Sequence, residues 1–425
     1  MRVSLYFTLF YDILSPTFKW KQGVGFILFC ILSYTGIAQP KIHAIAPLSG
    51  PTGTTVTITG ANFNPILEHN TVYFGAVKAR ILFANTTSLV VTVPVGATYE
   101  PITVTTNGFT AASSQPFTVT FACGGALNAS TFNSAVNIQG DGIYNIRNAD
   151  IDGDGKTDLI YQTNTSIVVS KNTSTINDIK FEPGIKIAAS CGYKFDIGDV
   201  DGDGKLDLMT PNACNETVSI IKNNSTPGII SFAAKIDYKV GEFPYAVALG
   251  NLDEDGRPDL VVVNMWGRSL SVLQNLTVGG TISFGNKTDY VLGRDCRDIV
   301  ITDLDGDGKN DMAVPSQIND HVSLFRNMGT AGTILFAARE DISTGTSDPE
   351  GLVVTDLDGG GKPGDAGTNN NTAGTISIFR NQSIPGSFSF PSKKDFNTGP
   401  YPYRMVCADF NGDGKPDLAI KDQYS

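Results

Sequence analysis

The sequence predicts an all-β protein: a small antiparallel sandwich followed by a β-propeller of four-stranded blades. Three observations carry this. An acidic nine-residue segment, Asp303-Leu304-Asp305-Gly306-Asp307-Gly308-Lys309-Asn310-Asp311 in its fullest form, recurs with starts at 150, 199, 251, 303, 356 and 409. The starts lie 49, 52, 52, 53 and 53 residues apart, a fixed period that marks a repeat array. Ahead of the array, short alternating apolar runs bounded by Gly, Pro and Asn read as the strands of a sandwich. Composition agrees: 41% of residues are apolar, only 17% are charged, and Gly is abundant, which favours short strands and turns over helices.

Taken in order, the chain opens with Lys19 and Lys21 before an apolar run from Val24 to Ile37. Gly36 and Ala38 place small residues at −3 and −1, so residues 1–38 read as an export signal cleaved after Ala38. The alternative, a membrane anchor, needs a longer run. No later stretch is long and apolar enough to span a bilayer as a helix.

Residues 41–120 form the first domain. Thr55–Gly60, Val72–Gly75, Leu89–Pro94, Ile102–Thr105 and Phe117–Val119 each read as a short strand. Ile45, Pro47, Gly50, Pro51, Gly53, Val56, Ile58, Gly60 and Phe63 stand at spacings that resemble the start of an IPT/TIG domain, with "Val-x-Phe-Gly" and "Val-Pro" following in order. The resemblance implies an immunoglobulin-like fold. It leaves activity open, since such domains serve as spacers and as binding modules.

Residues 128–425 carry the repeats. In the fourth copy the carboxylates occupy positions 1, 3, 5 and 9, with Gly at position 6. Like charges packed this closely are costly unless a cation sits among them, and a hard ion with a flexible oxygen shell, calcium above all, suits the spacing. The Gly permits the sharp turn that folds the loop over the ion. An EF-hand would need twelve residues and flanking helices. Here the ninth residue runs directly into an apolar strand such as Leu260–Val263 or Met312–Val314. A third strand then ends in Asn (Thr217–Asn223, Ser269–Asn275, His321–Asn327, Thr375–Asn381), and Ile230–Phe232, Ile282–Phe284, Ile334–Phe336 and Phe388–Phe390 read as the fourth. Four strands in about fifty residues make one propeller blade.

These units resemble FG-GAP/VCBS repeats, the blades of the integrin-alpha-type β-propeller, in which the loop between the first two strands binds calcium. The resemblance implies as ligands Asp150, Asp152, Asp154 and Asp158; Asp199, Asp201, Asp203 and Asp207; Asn251, Asp253, Asp255 and Asp259; and Asp303, Asp305, Asp307 and Asp311. The sixth copy supplies Asp409, Asn411, Asp413 and Asp417. The fifth keeps Asp356 and Asp358 but has Gly360 and Gly364 in place of the other two, so weak binding or none is expected there.

The net charge of −11 disfavours a nucleic-acid partner, and bound calcium would bring the protein near neutrality. Among the cysteines, Cys191 and Cys214 flank the hairpin of the second repeat at one end, where a disulfide fits. Cys123 and Cys296 could pair or stay reduced, and Cys407 reads as a buried thiol in a strand. After the sixth loop only one strand follows, and Ser130–Phe132 resembles a fourth strand from the other end of the array. A six-bladed ring would need roughly twenty more residues and a seven-bladed one about seventy, which suggests a truncated sequence or closure by a partner.

No nucleophile elbow, zinc-protease motif or phosphate loop is present, and the calcium pattern absorbs the paired carboxylates. Of the histidines, His43 lies at the entrance to the first domain, His69 in a loop, and His321 at a strand start, as a surface residue. The chain therefore reads as a secreted or cell-surface calcium-binding protein, not an enzyme, with an extracellular protein or glycan as ligand. Trp266 and Tyr401-Pro402-Tyr403 are the candidate contact aromatics. The rival readings are an accessory region of a carbohydrate-active enzyme such as a polysaccharide lyase, and a structural stalk.

Overall fold

A computed structural model describes residues 39–120, 142–175, 178–189, 191–293, 295–316, 320–345, 349–357, 363–369, 374–408 and 416–422. In the first domain, Lys41–Ala46, Thr55–Ala61, Ser88–Thr92 and Arg80–Ala84 form one antiparallel sheet. Val77–Lys78, Asn70–Phe74, Pro101–Thr106 and Phe109–Pro116 form the other. Alternation along each strand sends Val56, Ile58, Val72, Phe74, Leu89, Val91, Ile102 and Val104 into a shared core. Phe117 packs edge-on against Phe74, their centroids 5.5 Å apart. A 3-10 turn, Leu67–His69, leads into Asn70–Phe74.

The repeats form five four-stranded antiparallel sheets and one strand pair among the described residues. Blade 1 comprises Asn145–Ala149, Asp158–Gln162, Ser166–Ser170 and Ile185–Ala188. Blade 2 comprises Asp196–Gly198, Asp207–Asn212, Thr217–Ile221 and Ile236–Lys239. Blade 3 comprises Pro244–Gly250, Asp259–Asn264, Ser269–Leu273 and Thr288–Val291. Blade 4 comprises Val300–Thr302, Asp311–Ser316, His321–Phe325 and Glu340–Ser343, and blade 5 Pro349–Thr355, Gly364–Asn369, Thr375–Arg380 and Ser392–Asn397. Pro402–Ala408 then pairs with Asp417–Asp422. Second and third strands of blades 2 to 4 are buried on both faces, because each blade packs its apolar surface on the next. One cluster joins Ile160 and Val169 of blade 1 to Leu208 and Ile221 of blade 2, and another joins Val261 and Leu270 to Met312 and Phe325. The array is thus a propeller of face-packed blades.

Three expectations need correction. The Ile-x-Phe segments are not the fourth strands. Phe232, Phe284 and Phe336 make only isolated bridges to the terminal Asn of the third strand, and their rings turn into the blade cores. The fourth strand starts a few residues later and is mostly exposed, so it shows little apolar periodicity. It is marked instead by an Asp that accepts from a Ser in the middle of the third strand: Asp237 from Ser219, Asp289 from Ser271, Asp341 from Ser323, Asp395 from Ser377. His321 is buried rather than superficial and sits 3.6 Å from Asp341. Cys407 is half-buried.

Cys191 and Cys214 are disulfide-bonded, with Cα atoms 5.6 Å apart. Cys296 is buried, which pushes its thiol up to about 12. Cys123 and Ser130–Phe132 lie outside the described residues.

Candidate metal centres

Each acidic loop joins the first and second strands of its blade, so the loops share one face of the array. Within a loop the carboxylates have two jobs. Position 9 anchors the turn: Asp158, Asp207, Asp259 and Asp311 accept from the position-2 amide (Ile151, Val200, Leu252, Leu304) at 2.8–3.1 Å. Their other oxygen accepts from the amide of Asn172, Asn223, Asn275 or Asn327 at 2.7–2.8 Å. Positions 1, 3 and 5 fold inward: Asp150 and Asp199 accept from the amides of Gly155 and Gly204, while Asp152, Asp201, Asp253 and Asp305 accept from the amide two residues on.

The result is a concentration of oxygen. In three sets, Asp150, Asp152 and Asp158; Asp199, Asp201 and Asp203; and Asp303, Asp305 and Asp311, the carboxylate oxygens lie within 4.8 Å of one another. Asp154, Asp207 and Asp307 belong to the same three loops but fall outside these sets. In the third loop Asp253, Asp255 and Asp259 stand in sequence register, and the Oδ1 of Asn251 is buried with no hydrogen-bond donor. Asp150 Oδ1 is likewise buried and unsatisfied. Leaving such acceptors bare is costly unless something positive meets them. These oxygens fit a hard divalent cation. Asp356 is described without its partner Asp358, and Asp417 begins its strand while Asp409, Asn411 and Asp413 lie outside the described residues.

Burial, reinforced by neighbouring carboxylates, raises these acids: Asp150 to about 6, Asp158, Asp199 and Asp311 to about 7, and Asp259 to about 8. A carboxylate raised in the fold stabilises the metal-free fold at low pH and loses that contribution as pH climbs through its folded pKa. Metal-free protein should therefore melt lower at pH 8 than at pH 5. With saturating calcium the order should reverse, because the ion binds only deprotonated carboxylates. Thermal unfolding at both pH values, with and without the ion, checks this; parallel curves would sink it.

Sequence reasoning placed an Asn at the end of each third strand but missed what it does. Asn223 Nδ2 donates to the position-8 carbonyl of its own loop (Leu206, 3.0 Å) and to the position-2 carbonyl of the preceding one (Ile151, 2.8 Å). Asn275 does the same with Pro258 and Val200, Asn327 with Asn310 and Leu252, and Asn381 with Pro363 and Leu304. Its recurrence at one position in the first five repeats was the available signal.

The sandwich sits on the loops of blades 1 to 3. Asp150 N donates to Ala76 O at 2.9 Å and Thr110 N to Gly256 O at 2.7 Å. The buried Tyr73 hydroxyl donates to Gly204 O at 3.2 Å. Arg257 lies over the Phe109 ring, 5.9 Å from its centroid. A cavity of about 280 Å³ at this seam is lined by Glu68, His69, Asn107 and Asp203 among others. Gly202 is in the left-handed region, and a Cβ on it would run into the Gly108 backbone. Gly153, its equivalent in blade 1, has the same φ sign and open space around it. Gly202→Ala should therefore cost about 1–3 kcal/mol more than Gly153→Ala in urea unfolding. Equal losses would mean that the two domains do not touch here.

At the opposite face, where first strands begin and second strands turn into third, aromatic rings form a strip. Tyr144 meets Tyr193 edge-on at 5.2 Å, and Tyr193 stacks on Tyr245 at 4.6 Å. Phe243, 5.7 Å from Tyr193, stacks under Trp266 at 4.0 Å. Trp266 is 55% exposed and Tyr144 49%. Tyr401 is half-buried. Phe243 holds a φ of +51°, strained for a bulky residue.

Among known proteins, a family model for the IPT/TIG domain matches residues 40–121. The FG-GAP-like repeat model matches 150–210, 199–262, 251–314, 303–363 and 366–420. No curated protein matches in sequence. Similar solved structures include auxiliary nutrient binding proteins of Bacteroides ovatus and Bacteroides thetaiotaomicron. The first is 12% identical with a TM-score of 0.35 over 91% of this chain and 99% of that one. The second is 11% identical with a TM-score of 0.36 over 91% and 98%. A rhamnogalacturonan lyase of Bacillus licheniformis is 13% identical with a TM-score of 0.39 over 88% and 72%. On the repeat match, which covers more than half of its length, this chain belongs to the FG-GAP-like repeat family and carries an IPT/TIG domain ahead of the repeats.

Proposed function

We propose that this chain is an exported ligand-binding module, not an enzyme, whose blades are stabilised by calcium held in the acidic loops. Residues 1–38 act as the export signal and the mature chain is secreted or held at the cell surface. No helix among the described residues is long and apolar enough to cross a membrane. The ligand is a protein or glycan outside the cell, and it docks on the face opposite the loops. One observation carries the binding reading: the sandwich covers the loops of blades 1 to 3, while the other face presents the half-exposed Trp266 on a strained Phe243. Backbone strain in the ring that supports an exposed aromatic is the kind of cost a fold retains for a purpose. An aromatic ring with a fixed underside also binds with little loss of side-chain entropy.

Glycan-array and cell-binding assays of the mature chain, with and without Trp266→Ala, test this. Binding that Trp266→Ala abolishes supports it. Silence across both assays would favour a stalk, and turnover of a polysaccharide by the purified protein would favour the enzyme reading.

A further inference from the structure

The sandwich takes its footing on the turns that carry the acidic residues. In the second loop the Tyr73 hydroxyl donates to the position-6 carbonyl, Gly204 O, at 3.2 Å. A Cβ on Gly204 would meet the Thr71 hydroxyl at 2.6 Å, and one on Gly202 the Gly108 Cα at 2.4 Å. In the third loop Thr110 N donates to Gly256 O, again position 6, at 2.7 Å. In the first, position 1 itself is engaged, with Asp150 N donating to Ala76 O at 2.9 Å. The matching glycines of the fourth loop, Gly306 and Gly308, have open space where a Cβ would stand.

The same residues that carry the sandwich are tied to the carboxylates. The Gly204 amide donates to Asp199 Oδ2 at 2.9 Å while its carbonyl accepts from Tyr73, so one residue joins a position-1 carboxylate to the other domain. Asp150 makes the same join by itself: its amide donates to Ala76 O, and its Oδ2 accepts from Gly155 N at 3.0 Å. In the third loop Arg257 pairs with Asp255 and lies over the Phe109 ring. Lys171 and Lys222 offset one charge each in the first two loops, yet each of these loops keeps three carboxylates within 4.8 Å of one another. Asp150 Oδ1 is buried there without a donor. Like charges this close repel unless a further cation sits among them.

Resting on the calcium reading above, we infer that docking of the IPT/TIG domain and calcium binding by the first three loops are coupled. An ion fixes the direction of the Gly204 and Gly256 carbonyls and of the Asp150 amide, and so sets the footing of the sandwich. By linkage the docked sandwich tightens those loops on the ion. Tyr73, Phe109 and Thr110 are positioning residues for sites they do not ligate. Removing the ion frees the sandwich from the propeller while each keeps its own fold.

Amide hydrogen exchange on the full chain tests this, in calcium and in EGTA, at pH 7 and well below the metal-free melting midpoint. The Thr110 amide crosses the seam, while Val91 and Val262 report on the sandwich sheet and on blade 3. In EGTA Thr110 should exchange about tenfold faster or more, with Val91 and Val262 unchanged to within about twofold. The double variant Tyr73→Phe/Phe109→Ala leaves every loop residue in place, and in calorimetric titration it should weaken part of the calcium binding about fivefold. A merely structural contact would lower the melting temperature and leave calcium affinity unchanged, which would overturn the inference. So would equal protection of Thr110 in both solutions while calcium binds, or loss at Val91 or Val262 alongside Thr110. No calcium binding by wild type would overturn the calcium reading as well.

Discussion

If calcium fills the acidic loops as proposed, removing it with EGTA should lower the protein's unfolding midpoint by about 15 °C or more. The loops bring carboxylate oxygens within 4.8 Å of one another in three sets, and the unfolded chain has no such cages. Binding to the folded state alone contributes about 2.7 kcal/mol per site at a hundredfold excess over Kd, so three sites contribute about 8 kcal/mol. In a domain of this size each kcal/mol moves the midpoint by about 2–4 °C. The metal-free fold is further penalised at neutral pH, because burial makes Asp158, Asp199 and Asp311 resist ionisation up to about 7. Calorimetric melting in calcium and in EGTA at pH 7.5 is the measurement. Coincident melting curves would remove calcium from the account of this fold.

Asn275→Ala should destabilise the propeller by about 4 kcal/mol, since it strands several buried groups at once. The side chain is fully buried. Its Nδ2 donates to Val200 O at 2.8 Å and Pro258 O at 2.9 Å, and its Oδ1 accepts from Thr277 N at 3.0 Å. Alanine leaves two carbonyls and an amide without partners, and breaks a link between blades 2 and 3. Asn275→Asp restores an acceptor for Thr277 but no donor for the carbonyls, so it should rescue little. Asn224, which follows the equivalent Asn223 in blade 2, is exposed, and Asn224→Ala should cost about 0.5 kcal/mol or less. Urea unfolding of the three variants decides the matter; a loss at Asn275 no larger than at Asn224 would refute the staple.

The two predictions rest on parts of the molecule that differ in how far they could be read in advance. The repeat period, the acidic loops and the strands that leave them were legible because they are local. An Asp-x-Asp-x-Asp-Gly turn and the apolar run after it are dictated within a dozen residues. The Cys191–Cys214 bridge was legible for the same reason, lying across one hairpin. The fourth strands were not, because an exposed edge strand lacks the period-2 apolar pattern, and the Ile-x-Phe runs that do show apolar character serve the core instead.

Local residue pattern suffices for the all-β class, the two kinds of module, the period and the oxygen-rich loops. Packing of distant segments settled that Asn223, Asn275, Asn327 and Asn381 lock neighbouring blades, and that His321 is buried beside Asp341. It also decided that the sandwich rests on the first three loops and that lysines enter two of them. The reason is one of range. Backbone preference and side-chain alternation act over a few residues, whereas Asn275 and Val200 stand 75 positions apart and Lys194 and Asp298 pair across 104. Which of many similar polar groups meet is settled when the blades pack and every buried donor must find an acceptor.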